Sequence, residues 1–308
     1  MAFGTSSAKP VFSRRTGIGV AKIVAVNPTM KQINDAFGRD VYTSEPDYTR
    51  EVEYDGKKYK MSRVTFLLKF DAADNGGYDD YHFLTLPVTN RVVANADGSK
   101  VQAIDEFGRT AWMSKEEFAA KAIPVYSNGP ARISKDYHAC LRGEENLVNF
   151  ISAFMCTPSI DVYNSTTGTW QTNTRDSVDD CKKEIPIEDM KKIIAGDVSP
   201  IRGYIKDDMD NRVKVLLGVR TDAQDGRKYN VIYDRMFLNQ YQKKTTMLER
   251  ALAEDLARGR FADTVFKIGP LVDIETVKPD DLTKPVSVAT APAASTKSDF
   301  DPLGDLPF

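Results

Sequence analysis

Basic side chains and tyrosine rings alternate in three segments of the chain, and the chemistry they could carry out together is the binding of phosphates and bases. Guanidinium and ammonium groups pair with phosphate oxygens, while aromatic rings stack on bases of any identity, at roughly 1–3 kcal/mol per base. Each neutralised phosphate also makes the affinity fall as salt rises. The candidate side chains are Lys57, Tyr59, Arg63 and Lys69, then Arg202, Tyr204 and Lys206, then Arg227, Tyr229, Tyr233 and Arg235.

Six further side chains in neighbouring predicted strands could extend this surface. Exposed lysine, arginine and tyrosine are common on antiparallel sheets, so the repetition of the pattern carries more weight than any single residue. The six are Arg212, Lys214, Tyr81, Phe83, Arg109 and Trp112.

The residue types that catalysis requires are sparse. The chain has two histidines, His82 and His138, and it lacks a Walker-type phosphate loop, a Gly-x-Ser-x-Gly segment and an HExxH helix. Acid pairs such as Asp79-Asp80 could hold Mg²⁺ in a nuclease, but acids at turns are usually solvated. We therefore expect a protein that is not an enzyme.

One set of residues has the composition of a zinc site. One histidine and three cysteines could together supply tetrahedral ligands, but the short Cys-x-x-Cys spacing of zinc knuckles is missing. A buried thiol in an apolar helix, the expected position of Cys156, needs no metal. We predict no metal and no cofactor, although the sequence leaves a zinc site open at His138, Cys140, Cys156 and Cys181.

The strands that position the candidates are indicated by alternation of period two. In the segment 57–70, the residues Val64, Phe66, Leu68 and Phe70 share one face, and the basic and tyrosine side chains share the other together with Met61 and Thr65. The dipeptide Asp55-Gly56 supplies the positive φ angles of a type I′ hairpin, and Asp97-Gly98 and Asp225-Gly226 repeat it. Further strands are predicted at 19–26, 81–86 (ending at Pro87), 91–94, 100–104, 110–113, 201–206 and 211–219.

Helices are predicted where apolar residues recur at three and four positions. The strongest pattern lies at 144–156, with Leu147, Phe150, Ile151 and Phe154 on one face, and this helix is expected to fill the core. Capping boxes indicate helices that begin near Ser114 and Thr246. The predicted helices span 115–122, 144–156, 188–195 and 246–258.

The two ends of the chain differ in composition from the body. Residues 1–16 carry three basic and no acidic side chains and are predicted to be a flexible basic arm, and residues 278–298 are predicted to be a disordered linker. Residues 271–308 hold seven acids and three bases, a net charge of −4, which leaves a net charge of +2 on residues 1–270. An acidic end could compete with a nucleic acid for a basic surface.

The last ten residues, Asp-Phe-Asp-Pro-Leu-Gly-Asp-Leu-Pro-Phe, resemble the acidic tip of bacterial and bacteriophage single-stranded-DNA-binding proteins. In that family the tip recruits replication and repair proteins. The resemblance implies that such proteins, a polymerase, helicase or primase, bind Asp299, Asp301, Asp305, Leu306, Pro307 and Phe308.

The resemblance also implies a fold and a role. The body, 17–277, would be an elaborated OB-fold, a partly open antiparallel barrel with helical insertions in a mainly β, α+β chain. The protein would coat single-stranded DNA during phage replication, recombination and repair. Residues 13–16 are similar to a segment with which some phage relatives contact a neighbouring subunit, which would allow self-association on DNA.

Two other functions remain open from the sequence. The sheet could bind protein in an interaction or virion-assembly component, or the chain could be an annealing and recombination factor or a metal-dependent nuclease.

The chain has no long uncharged apolar run, its start has no apolar signal block and its three cysteines are an odd number. We therefore expect a cytosolic protein.

Overall fold

The computed structural model describes residues 14–121, 123–125, 132–134, 136–156, 159–174, 184–205 and 211–276. Its helices are α1 Met30–Phe37, α2 Lys115–Ala119, α3 Glu144–Met155, α4 Ile187–Ile194, α5 Ser199–Ile205 and α6 Thr246–Ala257. The strands up to α3 are β1 Arg15–Val26, β2 Thr49–Tyr54, β3 Lys57–Phe70, β4 Asp80–Thr89, β5 Lys100–Asp105, β6 Thr110–Ser114, β7 Ile123–Val125, β8 Arg132–Ser134 and β9 Tyr137–Ala139. Those after it are β10 Ser159–Asn164, β11 Thr169–Thr174, β12 Val213–Thr221, β13 Lys228–Ile232, β14 Leu238–Asn239, β15 Thr264–Phe266 and β16 Val272–Asp273.

The main sheet is a curled antiparallel half-barrel. Its strands follow the order β13-β12-β1-β3, and β4 pairs with the other edge of β3. Strands β2 and β1 lie one after the other along the same edge of β3, because β2 pairs with its first half and β1 with its second half. The prediction of a mainly β, α+β chain with a barrel-like sheet is therefore confirmed.

The first Asp-Gly turn forms as predicted. Asp55 and Gly56 have φ angles of 48° and 70°, as a type I′ hairpin requires, and they join β2 to β3. Antiparallel pairing also flanks the other two sites, but only the glycine there has a positive φ, so the prediction of a type I′ turn at Asp97-Gly98 and Asp225-Gly226 was wrong. Between β12 and β13 the carboxylate of Asp222 accepts backbone hydrogen bonds from Gln224 and Asp225, which stabilises a longer turn.

The core lies inside the half-barrel, and α3 fills it as predicted. The alternation of β3 is confirmed on this side, because Val64, Phe66, Leu68 and Phe70 are fully buried. The ring of Phe150 on α3 lies 4.4 Å from Phe66 between centroids. Burial of such aromatic and aliphatic side chains is the main stabilising term of the fold.

A second, smaller core lies on the outer side of β12 and β13. Here α6 packs Leu248 and Leu252 against Leu216, Tyr233 and other apolar side chains. Gly218 permits the approach of Phe266, since a Cβ at this position would lie 2.5 Å from the ring. Half of the outer face of the sheet is therefore covered by protein.

Three segments differ from the sequence prediction. β1 begins at Arg15, so the last residues of the segment predicted as an arm belong to the sheet. β4 continues through Pro87 to Thr89, which is possible because the proline lies on an edge strand, where its missing N–H leaves no pairing unmade.

The segment predicted as a strand at 201–206 is largely helical. Ile201 and Ile205 are both buried on one face of α5, and a spacing of four fits a helix as well as a strand. Ser199-Pro200 is a typical helix start and identifies the correct period. The predicted helices at 144–156 and 246–258 are confirmed to within two residues, and those at 115–122 and 188–195 are confirmed with shifted ends.

Among the described residues, no helix combines the length and the apolar composition needed to cross a membrane.

The second core depends on one buried carboxylate. Asp255 is 1% exposed and accepts hydrogen bonds from the Tyr233 hydroxyl (2.8 Å), from Arg235 and from Arg260 (3.1 Å). Asp255→Ala should lower the free energy of unfolding by about 2–4 kcal/mol, because Arg235 and the buried Tyr233 hydroxyl lose this partner and Arg260 keeps only Asp234. Urea denaturation checks this value. Glu254→Ala, which removes an exposed pair with Arg250, should change it by less than about 1 kcal/mol, and equal effects of the two variants would contradict the role of Asp255.

Candidate nucleic-acid interface

The other half of the outer face brings together predicted and unpredicted side chains. Lys22 lies opposite Lys69 in the β1–β3 register, and Lys69 lies opposite Tyr81 in the β3–β4 register, so all three point away from the core. The same alternation places Phe83 beside them. We call this surface the outer track, and it comprises Lys22, Lys57, Tyr59, Arg63, Lys69, Tyr81 and Phe83.

Three aromatic rings cluster on the outer track. Phe37 stacks on Phe83 at 5.7 Å and lies 5.8 Å from Tyr81 between ring centroids. The helix that carries Phe37 starts at a capping box formed by Thr29 and Gln32 and ends at a left-handed glycine. All three residues are partly exposed, so this aromatic cluster is accessible to a base.

Cations flank the rings, and acids from the loop after β3 neutralise part of their charge. The Lys69 Nζ lies 2.7 Å from Asp71 and 5.9 Å from the Tyr81 ring centroid. Lys22 also contacts Asp71, at 3.0 Å, and hydrogen bonds from Lys69 and Lys22 lower the pKa of this carboxyl. A phosphate bound at this position would replace Asp71 as the ion-pair partner of Lys22 and Lys69.

The middle of the outer track is covered. Met61 and Leu67 point outward by alternation, yet both are buried, whereas Tyr59 and Arg63 are partly exposed. The prediction that Met61 and Thr65 belong to an open face was therefore wrong, since Thr65 is also buried and its hydroxyl bonds to that of Thr85. The outer track is open at its two ends.

At the end near the β2–β3 hairpin lie two arginines that the sequence analysis missed. The Arg91 guanidinium stacks on the Tyr54 ring, 3.2 Å from its centroid. Burial, together with the positive charge of Arg91, lowers the pKa of Arg142. Tyr81, Phe83 and Arg91 all have odd numbers, so the alternation of side chains along a strand could have placed Arg91 on the same face as the two rings from the sequence alone.

The second predicted group does not join this surface. Arg202 and Tyr204 lie on α5, where Arg202 donates to the Val26 carbonyl at 2.9 Å and Tyr204 donates to Asp189 at 3.0 Å. They hold the helix against its neighbours, so the prediction of a basic and tyrosine strand face at this position was wrong. Lys206 lies outside the described residues.

The third predicted group is divided between the second core and the opposite end of the sheet. Tyr233 is fully buried, and Arg235 pairs with Asp255, so neither is available for a base or a phosphate. Arg227 is exposed in the turn before β13, and Tyr229 lies on β13, which β12 and β1 separate from β3. The prediction that all four share an open face was wrong.

The remaining candidates lie on other elements. Trp112 belongs to the small β6-β5-β9 sheet and is 50% exposed, and Arg109 lies in the turn before β6. Arg212 precedes β12 and lies 3.9 Å from Asp74. Lys214 lies on the outer side of β12 and donates to the Gln242 carbonyl at 2.7 Å. The predicted linker 278–298 and tip residues lie outside the described residues, namely Asp299, Asp301, Asp305, Leu306, Pro307 and Phe308.

The set considered for zinc does not form a metal site in the described residues. Both ring nitrogens of His138 contact carboxylates, Glu144 at 2.6 Å and Glu184 at 3.1 Å. Cys140 is a free buried thiol, Cys156 is disulfide-bonded, and Cys181 lies outside the described residues. A disulfide sulfur is not a thiolate ligand, so these residues do not fit a zinc ion.

The His138 cluster makes stability depend on pH. Burial alone lowers the pKa of His138, but the hydrogen bonds and charges of Glu144 and Glu184 outweigh it and raise the pKa to about 9. The stabilisation is therefore fully present below about pH 6.5, the ordinary pKa of histidine, and is lost as the pH rises through about 9. Urea unfolding should show a loss of at most about 3 kcal/mol across this window that is absent in His138→Gln. Parallel pH profiles for the two proteins would contradict this assignment.

No family model matches this chain, and no curated protein or solved structure matches it either.

Proposed function

We propose that this chain is a non-enzymatic protein that binds single-stranded DNA without sequence preference. The observation that carries the proposal is the cluster of Phe37, Tyr81 and Phe83 on the outer track, with Lys22 and Lys69 beside it. Aromatic planes and cations on one sheet face are the two parts that single-strand binding requires.

The shape of the surface favours a single strand over a duplex. Partly exposed rings on a sheet face can stack only on bases that are already unpaired. From Lys57 to Lys69 the outer track extends about 40 Å along β3, at about 3.3 Å per residue. A strand several nucleotides long would contact the arginines at the open end near the β2–β3 hairpin and the lysines at the other open end, and it would pass over the covered middle between them.

An elaborated OB-fold is the architecture we infer for the body. A curled antiparallel half-barrel with a helix filling its core is the arrangement that such a fold provides, and its ligands bind on the outer strand face. The added helices and small sheets correspond to insertions between its strands.

The acidic C-terminal tip supports the same function. Its resemblance to the tip of single-stranded-DNA-binding proteins fits a phage protein that coats DNA during replication, recombination and repair and recruits a polymerase, helicase or primase. The tip and DNA would compete for cations of the body, so DNA binding would release the tip to partners. Basic residues of the arm add to self-association on DNA.

A protein-interaction component is the alternative, and one observation favours it. Tyr163 and Trp170 face each other on the β10–β11 hairpin with ring centroids 5.4 Å apart, and they are 51% and 71% exposed. Exposed aromatic pairs of this kind are typical of protein contacts. Absence of poly(dT) binding at low salt would favour this alternative.

Arg63 of the outer track and Arg91, which lies beside the end of the track near the β2–β3 hairpin, are expected to set the affinity and its salt dependence. Arg63→Gln with Arg91→Gln should weaken binding to poly(dT) about tenfold or more at low salt, because two phosphate contacts are lost. The slope of log affinity against log salt should fall by about 1.4, at about 0.7 per contact. Filter binding across a salt series measures both quantities.

The matched control removes two exposed arginines elsewhere, Arg227→Gln with Arg250→Gln, and keeps the same net charge change. It should leave the affinity within about twofold of the wild type. Equal losses in the two double variants would mean that the chain binds by overall charge and not by the outer track.

Removal of residues 299–308 separates DNA binding from recruitment. The truncated protein should bind oligo(dT) as tightly as the full chain or more tightly, because a competing acidic segment is gone. It should no longer bind its replication partners in a pull-down from infected cells. A drop in oligo(dT) affinity on truncation would overturn the competition model.

A further inference from the structure

A second cationic site lies at the border between the outer track and the second core. A cavity of about 340 Å³ opens between β12, β14, the start of α6 and the loop before β16. Its volume lies within the range of ordinary small-molecule sites. It is lined by Ile18, Lys214, Leu238, Gln242, Lys243, Thr245, Gly269 and Pro270.

The charge in this cavity is unbalanced. Lys214 and Lys243 both line it, and no acidic side chain occurs among its eight described lining residues. The Lys214 ammonium donates to the Gln242 carbonyl, a neutral partner, at 2.7 Å. Burial, together with the positive charge of Lys243, lowers the pKa of Lys214. Lys243 is exposed and Lys214 is partly buried, and an anion that binds near both ammonium groups is attracted by the two positive charges.

The start of α6 adds positive potential to the same wall. Thr245 lines the cavity and is the residue before the helix, and its side chain makes no capping bond to the backbone. The hydroxyl instead donates to Glu249 at 2.6 Å. The first N–H groups of this 12-residue helix therefore have no side-chain cap from Thr245 and contribute positive potential, which the Glu249 carboxylate in the first turn offsets in part.

The lining also has an apolar side. Ile18, Leu238 and Pro270 also line the cavity, and Leu238 lies beside Lys214 in the β12–β14 register, so a ligand with a charged end and an apolar or planar body is accommodated. Two cations and a helix N-terminus match the charge of a phosphate monoester better than that of a single carboxylate.

We propose that this cavity binds the phosphate monoester of a nucleotide, with the phosphate between Lys214 and Lys243 and the sugar or base against the apolar wall. The nucleotide is either free or the 5′-phosphorylated end of a strand. No residue that lines the cavity belongs to the outer track, so the two sites can be altered separately by substitution.

The test uses calorimetric titration of the full chain with thymidine monophosphate and with inorganic phosphate. Lys243→Gln should weaken the binding of thymidine monophosphate about tenfold or more, since a charge-assisted contact is lost. The matched control Lys244→Gln alters the adjacent exposed lysine, which does not line the cavity, and should change the affinity by less than about twofold. In the wild type, the Lys214 ammonium should show a rise in pKa by NMR when the nucleotide binds.

Two further measurements complete the design. Arg63→Gln with Arg91→Gln should keep the wild-type affinity for thymidine monophosphate, which separates this site from the proposed single-strand surface. Tighter binding of 5′-phosphorylated than of 5′-hydroxyl oligo(dT) would identify the strand end as the ligand, and equal binding would identify the free nucleotide. Failure of the wild type to bind thymidine monophosphate at millimolar concentration, or equal losses in Lys243→Gln and Lys244→Gln, would overturn the proposal.

Discussion

The pairing of β3 with β1, β2 and β4 is the constraint on which both the core and the outer track depend. In a strand, successive side chains point to opposite faces, so one register decides at once which residues fill the core and which face outward. A shift of one residue would exchange Phe66 and Phe70 for Leu67 and Lys69. The Asp55-Gly56 turn fixes the register with β2, and ten paired residues fix that with β4. The cations and rings of the outer track are therefore positioned by the same interactions that bury the core.

Cations on and beside the outer track are already paired with acidic side chains of the protein. Lys22 and Lys69 already share Asp71, and Arg212 lies near Asp74, so the loop between β3 and β4 supplies carboxylates where a phosphate chain would bind. Binding would exchange one set of ion pairs for another, and exposed ion pairs contribute little on their own. The aromatic cluster must then supply a large share of the affinity, which fits a body whose net charge is only slightly positive.

The sequence was sufficient where local chemistry and tertiary packing agree. The β2–β3 hairpin, the two faces of β3, the core helix α3 and α6 follow from turn residues and periodicity. Prediction from the sequence failed where one local pattern is compatible with two different structures. Ile201 and Ile205 suit either period, and only the packing of α5 decides between them. Tyr233 alternates like an exposed residue, but α6 covers that face of the sheet, and the position of a helix 13 residues later in the chain cannot be read from the strand itself.

Coverage by α6 also explains why the candidate surfaces lie where they do. The helix and the strands packed with it close the outer face over β12 and β13, which leaves β1, β3 and β4 for a ligand. Lys214 lies at this border, directly opposite Val20, and Lys22 follows two residues later on the same side of β1. At about 3.3 Å per residue, Lys22 is only about 7 Å further along β1 than Val20. This distance is shorter than the Debye length, so the electrostatic potentials of the outer track and of the Lys214 cavity add. An anion bound at one of them therefore weakens the attraction for a separate anion at the other. The exception is a single strand whose phosphates follow the whole line of cations.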